Sequence, residues 1–92
     1  MTLATAEFAR SMGLSESELM QQALKNFVHE KRREVLQARL EILARYHVNN
    51  VAELEKRIAE GQAAEHPGWE DLITVENLDA RLEELDAYLR DL

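Results

Sequence analysis

His29-Glu30 opens like the H-E-x-x-H helix of a zinc protease, in which two imidazoles four residues apart share a helical face and hold the metal. Arg33 stands where the second imidazole would be, so that site is not built. His47 and His66 have Ala44 and Ala63 three residues before them, which removes the Glu-x-x-His pairs of carboxylate-bridged metal sites in helical bundles. There is no Gly-rich phosphate loop and no Ser/His/Asp grouping. The absence of Cys removes thiolate metal sites, disulfides and Cys nucleophiles together. The expectation is a protein that is not an enzyme and holds no metal or cofactor.

What remains chemically active is charge. The only basic cluster is Lys31-Arg32-Arg33, and with Arg10 and Lys25 it makes the candidate set of phosphate contacts. Glu30 and Glu34 flank the cluster and neutralise part of its field, which also reads as a solvated belt. Residues 1–50 carry seven Lys/Arg against six acids, and residues 51–92 four against twelve, so the formal charge of −7 is concentrated in the second half. A chain so acidic is a poor non-specific binder of nucleic acid. Its acids suit a basic protein surface, with Glu65, Glu70, Asp71, Glu76, Glu83 and Glu84 as candidate contacts and Trp69 as an anchor. The same Trp69 could instead cap the chain's own small core.

These residues must be positioned by helices. Three Gly, one Pro and many Ala, Leu, Glu and Arg favour helix, and no segment reads as a strand. Ser15 to His47 is one helical pattern without Gly or Pro, about 45 to 50 Å long at the usual rise. Ser15 and Glu18 form a capping box, with Leu14 and Leu19 as its hydrophobic staple. Ahead of it, residues 2–12 predict a short helix ended by Gly13. On the long helix the polar run 29–34 separates a head (1–28) from a stem. Val28, Val35 and Ile42 repeat at seven, while Leu36, Leu40 and Leu43 form a second stripe. One face would take later helices and the other a second subunit. Leu24, Phe27, Val28, Val35, Leu40 and Ile42 are the candidate dimerisation residues.

Asn50 and Glu53 start a further helix that Gly61 ends. Residues 61–68, GQAAEHPG, read as a hinge. After a helical turn at WEDLI, Thr74 is the expected cap of a last helix, whose Val75, Leu78, Leu82, Leu85, Leu89 and Leu92 make a 3-4 seam that docks on the stem. The predicted architecture is all-α: a helix-turn-helix-like head over 1–28, and a long stem with a docked C-terminal hairpin over 29–92, the whole oligomeric. No apolar run reaches membrane-spanning length and no signal peptide is visible, so a cytoplasmic protein without a membrane partner is expected.

Residues 9–24, ARSMGLSESELMQQAL, resemble the helix, Gly turn and second helix of ribbon-helix-helix proteins, through Ala9, Gly13, Ser15, Ser17, Glu18, Leu19, Ala23 and Leu24. The resemblance implies an intertwined dimer, and such heads with acidic helical tails occur in the antitoxins of toxin–antitoxin pairs. That family reads DNA with a β-ribbon before its first helix, whereas this chain starts practically in that helix. Read as helix-turn-helix, the second helix opens with Glu16 and Glu18, which face phosphate poorly. The expected function is therefore an antitoxin-like module whose acidic half masks a small basic toxin, with weak nucleic-acid binding. The alternatives are a DNA-binding repressor using the head and a structural helical dimer without ligand.

Overall fold

The computed structural model describes residues 3–92 and contains four helices: α1 (Leu3–Ser11), α2 (Glu16–Arg45), α3 (Val51–Ala59) and α4 (Glu65–Asp91). No strand occurs among the described residues, and the all-α expectation holds. The expected start of the first helix at Thr2 lies outside the described residues.

Local chemistry sets four of the helix ends. At α2 the Glu18 N–H donates to Ser15 Oγ at 3.0 Å and the Ser15 N–H donates back to Glu18 Oε1 at 3.4 Å, the reciprocal pairing that satisfies two orphan donors. Asn50 does the same work for α3, its Oδ1 accepting from the Glu53 N–H at 2.9 Å. Gly13 and Gly61 sit at φ 73°, and in each case the following N–H reaches back to a carbonyl five residues earlier: Leu14 to Ala9 and Gln62 to Arg57.

α2 ends by the same device without a glycine. His47 takes φ 56°, its N–H donates to the Ala44 carbonyl, and the Val48 N–H donates to the Leu43 carbonyl at 3.2 Å. The turn drives Val48 into the core beside Leu43, where both are buried. A β-carbon in the left-handed region costs about 1 to 2 kcal/mol, which this position carries so that the chain can reverse onto α3.

The C-terminal half differs from its expected division. Between α3 and α4 the backbone is non-helical over 60–64 and again at His66 and Pro67, close to the expected hinge, but the division beyond it differs. Thr74 caps nothing: its Oγ1 donates to the Glu70 carbonyl one turn back, and WEDLI runs unbroken into the leucine seam. Gly68 is buried at the start of this run, and a β-carbon there would lie 3.1 Å from Ile58 Cγ1, so its lack of a side chain lets α4 close on α3.

The molecule is a rod of 60 × 20 × 17 Å. α4 runs antiparallel to α2, α3 packs on α4, and α1 packs on the start of α2. Its core is at one end, where Leu43, Val48, Leu54, Ile58, Leu72 and Val75 are buried together, with Ile42, Tyr46, Val51 and Ala63 packed against them. Leu85 is buried further along α4. Among the described residues of the head only Ala9 is fully enclosed.

His47→Gly is expected to stabilise the fold by about 0.5 to 1 kcal/mol, the strain relieved less the added freedom of the unfolded chain. Urea unfolding followed by circular dichroism would measure it, and an unchanged or lower midpoint would show that the His47 side chain offsets its own strain.

Candidate functional site

The polar residues of the stem pair with one another across the α2–α4 contact. Arg32 Nε donates to Asp86 Oδ1 at 2.7 Å, and Arg39 Nε donates to Asp79 Oδ1 at 2.6 Å. Two turns further along α2, the Tyr46 hydroxyl donates to Asp71 Oδ2, and Arg45 Nη2 reaches the other oxygen at 3.4 Å. The α2 members recur at seven and the α4 members at seven and eight, so the ladder follows the same period as the apolar seam it borders. Burial pushes the Tyr46 hydroxyl up to about 12, and its hydrogen bond and charge contact with Asp71 add to the shift.

This ladder revises several roles. Asp71 is held by Tyr46 and Arg45 and is not free to face a basic partner. Arg32 is held by Asp86 and is not free for phosphate. Lys31 pairs with Glu34 at 3.3 Å and lies 5.2 Å from the centre of the Phe27 ring. Of the basic set, Arg10, Lys25 and Arg33 have no ion-pair partner among the described residues. Val28 and Val35, half-buried, share the helical stripe of Arg32 and Arg39, and Ile42 packs on the core. All three contribute to this chain's own packing. Leu24, Phe27 and Leu40 remain exposed, as does Leu36.

The outer face of α4 is where the surviving acids stand. Among the described residues Glu65, Glu76 and Glu83 are exposed without an ion-pair partner, and Glu84 pairs only with Arg81 one turn away at 2.7 Å. Glu70 meets His66 Nδ1 at 2.8 Å. Its carboxyl is held below the usual range, first by its own backbone N–H and then by His66. Trp69 and Ile73, four residues apart, are both exposed, the indole 37 % and Ile73 58 %, so the ring is only partly a lid. The face thus offers two apolar side chains among carboxylates. Asp79 and Asp86 were not among the sequence-derived candidates, although their heptad spacing against Arg32 and Arg39 was a readable signal.

Among the described residues no three His, Cys, Asp or Glu side chains form a group able to hold a metal ion, and no helix is long and apolar enough to cross a membrane. The chain belongs to the uncharacterized protein MJ0235 family, which it matches over residues 1–92. Comparison with curated proteins and with solved structures found no match.

The burial of Tyr46, with its Asp71 contact, makes stability pH-dependent. A tyrosine raised from 10.0 to about 12 in the fold contributes stabilisation that is whole below pH 10 and lost as pH climbs to about 12. In a Tyr88→Phe background, phenolate absorbance should rise with a midpoint near 12. Asp71→Asn should bring the midpoint down, and no change would remove Asp71 as a cause. A second outcome concerns the ladder itself: Arg39→Asp and Asp79→Arg should each cost about 1 kcal/mol or more, and the double swap should recover most of it. Additive losses in urea unfolding would show that the pair does not couple.

Proposed function

We propose that this protein is a non-enzymatic binding module that masks a basic protein partner, in the manner of an antitoxin, through the outer face of α4. The observation that carries the reading is that face. Among the described residues Glu65, Glu76 and Glu83 have no ion-pair partner, and Glu76 and Glu83 follow the exposed pair Trp69 and Ile73 on one helical face. An apolar centre with a charged rim is the anatomy of a specific protein interface, the centre supplying buried area and the rim steering approach. Uncompensated acids on one helix repel each other, and a basic surface would relieve that repulsion. The ladder narrows the partner-facing acids, because Asp71, Asp79 and Asp86 are occupied within the chain.

A repressor reading has less support, since Arg32 and Lys31 are engaged internally and the head presents Glu16 and Glu18 in the first turn of α2. Removing everything after Gly61 would strip α4 from Leu43, Leu54 and Ile58, so truncation cannot separate binding from folding. Point variants can.

Co-expression with any small basic protein whose gene adjoins that of this chain should give a co-purifying complex and relieve any toxicity of the partner alone. Glu76→Lys with Glu83→Lys should slow association at least tenfold at low salt, with far-ultraviolet circular dichroism unchanged. Trp69→Ala should cost on the order of 2 kcal/mol of binding. A complex indifferent to all three changes would remove α4 as the interface. Absence of any basic partner would leave the structural-dimer reading.

A further inference from the structure

The least self-sufficient part of the rod is its head. Among the described residues α1 and the first turns of α2 enclose one side chain completely, Ala9 at 1 %. The same two helices leave Phe8 53 %, Met12 58 %, Met20 42 %, Leu24 45 % and Phe27 58 % exposed. Phe8 and Met12 are one turn apart on α1, and Met20, Leu24 and Phe27 recur at four and three on α2. α4 leaves this part of α2 bare: Leu92 reaches the level of Leu24, where a groove opens between Glu16, Ser17, Met20, Gln21, Leu24 and Leu92. A nine-residue helix such as α1 is not stable in water by propensity alone.

We infer that this face is the contact with a second copy of the same chain, head against head across a two-fold axis. The charge distribution selects the occupant. Residues 1–28 hold Arg10 and Lys25 against Glu7, Glu16 and Glu18, a net of −1, whereas residues 29–92 carry nine Lys/Arg and fifteen acids, a net of −6. Two nearly neutral heads can approach without repulsion, and a head-to-head arrangement keeps the two acidic rods apart. A basic or acidic partner gains nothing from so neutral a surface. The area also fits. The five exposed side chains amount to roughly 500 Å² per copy, about 1,000 Å² for a pair, near the lower limit of a specific interface before any rim is counted. Apolar surface on that scale is at the upper end of what a monomer leaves in water, where such patches are often functional. Flexible methionines beside phenylalanines suit a self-complementary contact, because each copy's thioethers can settle on the other's rings. The surface differs from the one sequence spacing suggested: Phe8, Met12 and Met20 join Leu24 and Phe27, while Val28, Val35 and Ile42 drop out.

The test uses the full chain in sedimentation equilibrium. A dimer is expected at micromolar concentration, with little dependence on salt. Met20→Glu with Phe27→Glu should shift the mass to monomer, weakening association at least a hundredfold, while Leu40→Glu, on the stem, should leave the dimer intact. Because a charged head could fray, a second measurement keeps the proposal open to refutation. The natural chain has no cysteine, so Met20→Cys should form an interchain disulfide on oxidation and Leu40→Cys should not. A monomeric natural chain at tens of micromolar, or cross-linking at 40 in preference to 20, would overturn the head-to-head dimer.

Discussion

The fold depends on the register of α4 against α2. Apolar seams built from leucines at three and four are forgiving, since sliding one helix by a heptad puts leucine opposite leucine again. Arg32–Asp86, Arg39–Asp79 and Tyr46–Asp71 are less forgiving, because a slip of one turn breaks all three and a slip of a heptad leaves Arg32 and Asp71, or Tyr46 and Asp86, without their partners. Half-exposed ion pairs of this kind contribute on the order of 0 to 1 kcal/mol each, so their role is to choose among alignments that the hydrophobic effect alone ranks equally. That alignment places Val75 beside Leu43, which in turn gives α3 a surface to close.

The ladder also changes what the acidity of the second half means. From composition, an excess of eight acids over residues 51–92 looks like a surface built for a partner. Three of those acids, Asp71, Asp79 and Asp86, are instead complements to basic residues or a phenol on α2. The near-neutral charge of the front half and the negative charge of the back half are thus partly two sides of one intrachain contact. The unpaired residue of this arithmetic is the outer face of α4, which is why Glu65, Glu76 and Glu83 carry more weight than the total charge.

Local signals were fully legible in the sequence. Ser15 with Glu18, Asn50 with Glu53, and the glycines at 13 and 61 mark helix ends through bonds among residues a few positions apart, and each is present as read. What was not legible depends on neighbours distant in sequence. Thr74 looks like a cap in isolation, yet with Leu72 and Val75 both buried against α2 and α3 the helix has every reason to run through it. The hinge read over 61–68 is present as an irregular stretch that runs to Pro67, and Gly68, which reads as a breaker, opens the helix and lets Ile58 approach. The stem stripes were correctly seen as two, but only the partner helix could decide that Val28 and Val35 lie beside Arg32 and Arg39 while Leu36 and Leu40 stay outside.

Placing the core at one end of a 60 Å rod has a mechanical consequence. Protection from amide exchange should be graded along α2, highest near Leu43, where opening means breaking the buried cluster, and falling toward Glu16, where little holds the backbone beyond its own hydrogen bonds. One continuous helix therefore spans two regimes, a rigid root and a compliant tip. Events at the tip can order or release it without the root registering a change, so the two ends of this small chain are free to do separate things.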